Sequence, residues 1–107
     1  MRLAATGLRG HKVINYDNEY LGTIEDFMLD NATGRLDYAL LSCSGIADTE
    51  KLFPVPLHAL TVDTDGERFM LNADRDTLSF APGFGPNDWP DTSDPRWRSG
   101  VNRFYSF

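Results

Sequence analysis

Several groups of residues in this 107-residue chain have types that could do chemistry. Glu25, Asp26 and Asp30 place three carboxylates close together, and paired carboxylates do acid–base work when their environments split their pKa values. On an extended strand, Glu25 and Asp26 point to opposite faces unless a bulge intervenes. The three therefore read as a solvated face with a turn-capping Asp30. Asp63-Thr64-Asp65-Gly66 has the look of a calcium-loop start, but such a loop needs a bidentate Glu at its twelfth position, where Asp74 stands here. A hairpin turn accounts for it better. His11, Cys43 and His58 are the residue types that bind zinc, yet no two share a short ligand spacing such as i, i+4. Ser42-Cys43-Ser44-Gly45 lacks the Gly-x-Ser-x-Gly elbow of a serine hydrolase. Gly83-Phe84-Gly85-Pro86 does not follow a strand as a dinucleotide fingerprint must. The expectation is no catalytic residue, no metal ligand and no cofactor.

The densest functional signal lies at the C-terminal end. Phe84, Trp89, Trp97, Phe104, Tyr105 and Phe107 put six aromatics in the last 24 residues. Arg96, Arg98 and Arg103 sit among them. Trp, Tyr and Arg dominate interface hot spots, so Phe84, Trp89, Trp97, Arg98, Val101, Phe104 and Tyr105 are the candidate partner-binding residues. The segment has no core of its own and must dock on something. Its own barrel and a second copy of the chain both remain open, since exchange of an identical element is a low-cost route to a dimer. Arginines beside aromatics also permit RNA stacking and phosphate contact, although three arginines on an acidic protein make a weak RNA signal.

The elements that must position these residues are mostly strands. Lys12–Asn15 reads as a short strand and Tyr16–Glu19 as a polar turn. Tyr20–Leu29 reads as a second strand, in which a bulge near Glu25 and Asp26 would bring Ile24 and Phe27 to one face. Asp30–Gly34 is turn chemistry, with Asx side chains bonding back to the chain and Gly34 free to take positive φ. Arg35–Cys43 completes the clearest hairpin, its Leu36, Tyr38 and Leu40 alternating with Asp37 and Ala39. Residues 44–50 form a polar loop. In Lys51–Pro56, two prolines cannot donate to a ladder, so this strand belongs at an edge or leaves the sheet. Leu57-His58-Ala59 makes a single turn. Leu60–Asp63 and Arg68–Asn72 are strands joined across Asp65-Gly66. Asp74 caps a short helix through Leu78. After the Pro- and Gly-rich stretch from Ala81 to Pro90, Ser93-Asp94-Pro95 starts a helix. Trp97, Val101 and Phe104 then recur on one helical face, with Gly100 weakening the helix by ~1 kcal/mol relative to Ala.

Composition sets the limits. At 12.0 kDa the chain suits one domain. Folding would bury roughly 65% of its extended surface, enough for one core without disulfides. The formal charge of −6 and a pI near 4.6 argue against non-specific binding to bulk nucleic acid. One cysteine excludes an internal disulfide framework. Met1–Gly7 lacks the apolar stretch of a signal peptide. The longest apolar run, Tyr38-Ala39-Leu40-Leu41, falls far short of the ~20 residues of a spanning helix. No direct membrane insertion is expected, and the cytoplasm is the expected compartment. Asn31-Ala32-Thr33 matches the N-glycosylation pattern but reads as a turn without a secretory signal.

Gly10-His11-Lys12-Val13, Leu21-Gly22-Thr23-Ile24-Glu25-Asp26-Phe27-Met28-Leu29-Asp30 and Thr33-Gly34-Arg35-Leu36-Asp37-Tyr38-Ala39-Leu40-Leu41-Ser42 together resemble the PRC-barrel family. Lys51-Leu52-Phe53-Pro54-Val55-Pro56 and Ala81-Pro82-Gly83-Phe84 fit it as well. The likeness runs over roughly residues 5–80, and Trp89-Pro90-Asp91 with Asp94-Pro95-Arg96-Trp97 resembles the extension of some stand-alone bacterial members. The family includes the cytoplasmic domain of the photosynthetic reaction-centre H subunit and the second domain of the ribosome maturation factor RimM. The resemblance implies a barrel that docks on proteins or ribonucleoprotein, and supplies no catalytic motif to carry over.

The expected architecture is an all-β, six-stranded PRC-type barrel over residues 1–80, with a short helix, followed by a linker and aromatic extension over residues 81–107. The extension packs on the barrel or on a second subunit. The expected function is a non-enzymatic adaptor whose protein partner is unknown, self-associating through its tail, with a dimer favoured. An RNA- or ribosome-associated factor of the RimM type is the alternative, and a photosynthetic or membrane-complex adaptor the second alternative. Trp97→Ala is expected to lower stability or oligomer order by ~3–5 kcal/mol, the usual cost of truncating a buried aromatic. An unchanged melting temperature and solution mass would refute the role given to the tail.

Overall fold

The computed structural model describes residues 10–30, 32–43, 51–63, 68–85 and 87–106. The 44–50 loop, the Asp65-Gly66 turn, Asn31 of the glycosylation pattern, and Phe107 lie outside the described residues. The strands are β1 (Lys12–Ile14), β2 (Tyr20–Asp30), β3 (Arg35–Ser42), β4 (Leu52–Pro56), β5 (Leu60–Asp63) and β6 (Arg68–Leu71). A 3-10 turn at Leu57–Ala59 joins β4 to β5. Two helices follow, α1 (Arg75–Leu78) and α2 (Pro95–Phe104). The strands form one curled sheet in the order β4-β3-β2-β1-β6-β5. Every pairing is antiparallel except β1 with β6, which is parallel. The molecule is thus the small six-stranded barrel-type fold expected, as a curled half-barrel. Its two outer strands, β4 and β5, are consecutive in the chain.

Local chemistry explains the elements. In the β1–β2 turn, the buried Asn15 Oδ1 accepts from the Asp17 and Glu19 amides at 3.0 and 2.8 Å. This wrap lets Asn18 take a left-handed φ of 63°, a conformation Asn tolerates. Asn15 Nδ2 donates to Glu19 Oε1 at 2.9 Å, and the same oxygen accepts from the Arg75 amide at 3.1 Å. Arg75 also donates to the Tyr20 carbonyl, so this turn ties α1 to the sheet. The β2–β3 turn holds Gly34 at a φ of +72°. Asp74 caps α1 by accepting from the Thr77 amide, and Asp94 caps α2 by accepting from the Arg96 amide.

The long hairpin contains two irregularities. Ile24 pairs with Leu41 and Asp26 with Leu40, so Glu25 is the extra residue of a bulge, where one was expected. Met28 pairs with Tyr38 and Leu29 with Leu36, which leaves Asp37 as a second extra residue, on β3. The strict alternation expected for β3 fails. Tyr38, Ala39, Leu40 and Leu41 are all at most 2% exposed, whereas Leu36 is 36% exposed. β3 lies between β2 and β4 and is covered on both faces, so side chains pointing either way are buried.

β4 ends the sheet, as its prolines require. Its outer edge receives one further partner. Leu52 and Phe84 exchange backbone hydrogen bonds of 2.8 and 3.0 Å as an antiparallel bridge. The chain after α1 therefore seals the edge that the prolines already blunt.

Gly22 faces Val13 across β1–β2 and is buried. A Cβ there would collide with the Ser42 carbonyl oxygen and approach Cys43 Cα to 3.1 Å, both backbone atoms that cannot rotate away. Gly22→Ala is expected to destabilise the fold by ~1–3 kcal/mol, the scale of overpacking. An unchanged denaturation midpoint would refute this close approach.

Candidate functional site

The C-terminal segment meets the barrel along β3 and β4. Val101 and Tyr105 are 1% and 2% exposed and belong to the same core as Tyr38, Cys43, Phe53 and Val55. Trp97 and Phe104 are partly buried against that core. The Trp97 ring meets the Tyr38 ring edge-on, with centroids 5.4 Å apart, and Phe104 meets Tyr105 similarly at 5.0 Å. Such pairs contribute ~0.5–1.5 kcal/mol beyond the area they bury. Phe84 is buried and carries Trp89 on its ring at 4.9 Å, while Trp89 itself stays 50% exposed.

Of the candidate partner-binding residues, Phe84, Val101 and Tyr105 are thus enclosed within this chain. Trp97 and Phe104 are half enclosed, and Trp89 remains open to solvent. Arg98 Nη1 meets Asp37 Oδ2 at 3.1 Å, and its guanidinium carbon lies 5.6 Å from the centre of the Tyr38 ring. The Asp37 partner is therefore the bulged residue of β3. The Asp37 hydrogen bond holds the Arg98 guanidinium above its ordinary pKa. Both side chains are partly exposed, at 37% and 23%, so the pair contributes at most ~1 kcal/mol and serves mainly to fix the orientation of α2.

The approach to α2 is ordered by its own polar groups. Asp91 Oδ1 accepts from the Ser93 amide and hydroxyl at 3.1 and 2.6 Å. These bonds hold the exposed Asp91 carboxyl below the usual carboxylate range. Where this segment passes the β2–β3 hairpin a pocket of about 260 Å³ remains. Met28, Leu29, Asp30 and Asp37 line it from the hairpin, and Thr92, Ser93 and Arg98 from the tail. A second, polar pocket of about 250 Å³ lies beside the β1–β2 turn, between Tyr16 and Asp74.

The remaining chemical candidates are scattered. Glu25 and Asp26 are exposed, and Asp26 Oδ1 accepts from the neighbouring Phe27 amide at 2.8 Å. Asp30 caps its turn through the Ala32 amide at 2.8 Å, and alone of the three acids lines the hairpin pocket. The His11 ring packs edge-on against Phe69, His58 is exposed in the 3-10 turn, and Cys43 is sealed in the core. Among the described residues, no three His, Cys, Asp or Glu side chains gather to hold a metal ion. No helix of the described residues is long and apolar enough to cross a membrane. The sequence assigns Asp37, Thr92 and Ser93 no site role, with Ser93 read only as part of a helix start and Asp37 only as a polar position of β3. The available signal was the Asp37 charge inside an apolar strand, which a period-two reading places on a solvent face.

The hairpin, the double-bulged β2–β3 pair and the proline-blunted β4 define a recognisable unit. A family model described as PRC-barrel domain matches residues 2–78 of the chain. The chain belongs to the PRC-barrel family. Comparison with curated proteins finds no match. PRC-barrel domains are generally non-catalytic. The family match ends where α1 ends, so Phe84, the hairpin-facing loop and α2, which meet the β3–β4 side of the sheet, lie outside the matched residues.

Burial leaves three acidic hydroxyl or thiol groups without access to water. It pushes the Cys43 thiol up to about 12, partly offset by Arg75. Burial likewise raises the Tyr105 phenol, with Cys43 adding to the effect. Burial also raises Tyr38, which Asp37 reinforces and Arg98 and Asn102 oppose. A thiol held protonated in the fold but titrating near ~8.5 when unfolded stabilises the native state fully below that pH. That stability is lost as pH climbs toward the native value, and the phenols add their loss at still higher pH. The melting temperature is expected to fall as pH rises above about 8.5, less steeply in Cys43→Ala. Rapid reaction of the native thiol with a disulfide reagent near pH 8, or equal alkaline slopes for the two proteins, would contradict this burial.

Proposed function

We propose that this PRC-barrel chain is a non-enzymatic binding module that self-associates by exchanging its C-terminal tail and acts as an adaptor for a further protein. The supporting observation is the insertion of Val101 and Tyr105 into the barrel core from a helix outside the family-matched residues. Tyr38 and its β3–β4 neighbours present a groove that takes an amphipathic helix. The α2 of a second copy can make the same contacts, because they involve only groove and helix. Exchange then keeps the contacts of α2 and requires only that the chain between Phe84 and α2, which is rich in Pro and Gly, take a new course. Leu29 and Leu36, both exposed, present apolar surface for an adaptor contact when the groove is filled.

Light scattering after size exclusion is the test, run across a wide range of protein concentration. A dimer mass is expected, together with subunit exchange between differently tagged copies. Val101→Asp is expected to abolish the dimer, since it places an unpaired carboxylate in the groove. A monomer at every concentration would overturn tail exchange and leave α2 as a clasp within one chain.

A further inference from the structure

We propose that the pocket between the β2–β3 hairpin and the tail receives a lysine or arginine side chain from a basic segment of the partner protein. This recognition chemistry rests on the binding-module function proposed above and specifies what the module grips. The pocket holds about 260 Å³. That lies below the roughly 300–1,000 Å³ of small-molecule sites, and suits one long side chain rather than a cofactor.

Its walls have two characters. Met28 and Leu29 form an apolar side, and Leu29 is 57% exposed. Leu36, the cross-strand partner of Leu29, is also exposed, so the apolar wall continues out of the pocket along the hairpin. The polar side is rich in acceptors. Arg98 is already engaged by Asp37 at 3.1 Å and lies over the Tyr38 ring. Asp30 uses one carboxylate oxygen to cap the turn at Ala32, and its other oxygen has no hydrogen bond among the described residues. Arg35, opposite Asp30 in the ladder, is exposed and forms no ion pair with it among the described residues. Thr92 adds a hydroxyl to the rim.

These walls decide the class of occupant. An incoming carboxylate or phosphate would meet two carboxylates, while Arg98, the one cation among the described lining residues, is bonded to Asp37 and also attracted to Asp30, which leaves the lining with a net negative charge. A purely apolar group would desolvate Asp30 without replacing its water. A lysine or arginine lays an aliphatic stem along Met28 and Leu29 and brings charged donors to Asp30 and Asp37. The net charge of −6 attracts a basic segment from a distance.

Isotope-labelled full-length protein is titrated, at low salt, with the blocked peptide acetyl-Gly-Lys-Gly-amide and with its arginine, norleucine and glutamate counterparts. The lysine and arginine peptides are expected to shift the amide signals of Met28–Asp30 and Thr92–Arg98, with millimolar dissociation constants. The norleucine and glutamate peptides are expected to leave those signals in place. Asp30→Asn keeps the oxygen that caps the turn. It is expected to weaken lysine-peptide binding about fivefold, the scale of an exposed ion pair, with no change in melting temperature. Equal shifts from norleucine, shifts mapping elsewhere, full binding by Asp30→Asn, or no shift at about 20 mM lysine peptide, which would mean negligible affinity, would each overturn the pocket's assignment. These readouts do not depend on solution mass, so their failure overturns the pocket alone. A strictly monomeric protein overturns tail exchange alone.

Discussion

Burial of β3 on both faces governs the rest of the structure. From Tyr38 to Leu41 every side chain is enclosed, whichever way it points. Ala39 and Leu41 share one face of the strand, and Tyr38 and Leu40 the other. A single curled sheet can cover only one of these faces from within. The other would leave an aromatic ring and a leucine in water. Residues beyond the family-matched segment contribute to that cover through Trp97, which meets the Tyr38 ring edge-on, while Val101 and Tyr105 join the common core. The tail is therefore part of the hydrophobic core and, at its rim, also part of the pocket that we assign to recognition.

The bulges convert this packing requirement into a site. An extra residue at Glu25 keeps Ile24 and Phe27 both turned toward the core along a long β2. The extra residue at Asp37 carries its carboxylate to Arg98 of α2. A regular strand would have placed Asp37 at a fixed alternation with Tyr38. The bulge frees it to serve the tail while Tyr38 stays buried, which joins the orientation of α2 to the geometry of the hairpin. Bulges of this kind re-aim single side chains without breaking the sheet.

Much of this was legible in the residues themselves. Turn chemistry at Asp30–Gly34, the Asp74 and Asp94 caps, the two prolines of β4, and the Trp97–Val101–Phe104 face each act through neighbours a few positions away. Local sequence therefore carries their signal. The bulge at Glu25 was legible because two large apolar residues stood at the wrong spacing for a strict alternation. The bulge at Asp37 was not, since Leu36, Tyr38 and Leu40 already satisfied that alternation on paper. The candidate site divided the same way. The aromatic tail was visible as a density of hot-spot residue types. Which of them face inward was not, because Phe84, Tyr105 and Trp89 are alike in composition and differ only in what lies opposite.

The sequence by itself determined the strands, turns and caps, the acidic charge, and the need for the aromatic tail to find a surface. Those properties follow from backbone preferences and side-chain solubility, which are set residue by residue. Tertiary structure alone decided that β1 runs parallel to β6, that Phe84 bonds to the edge of β4, and that Asp37 meets Arg98. Each of these joins residues far apart in the chain. The free energy of such a contact depends on burial and on geometry shared by several elements, and neither exists until the sheet has curled and the tail has closed over β3.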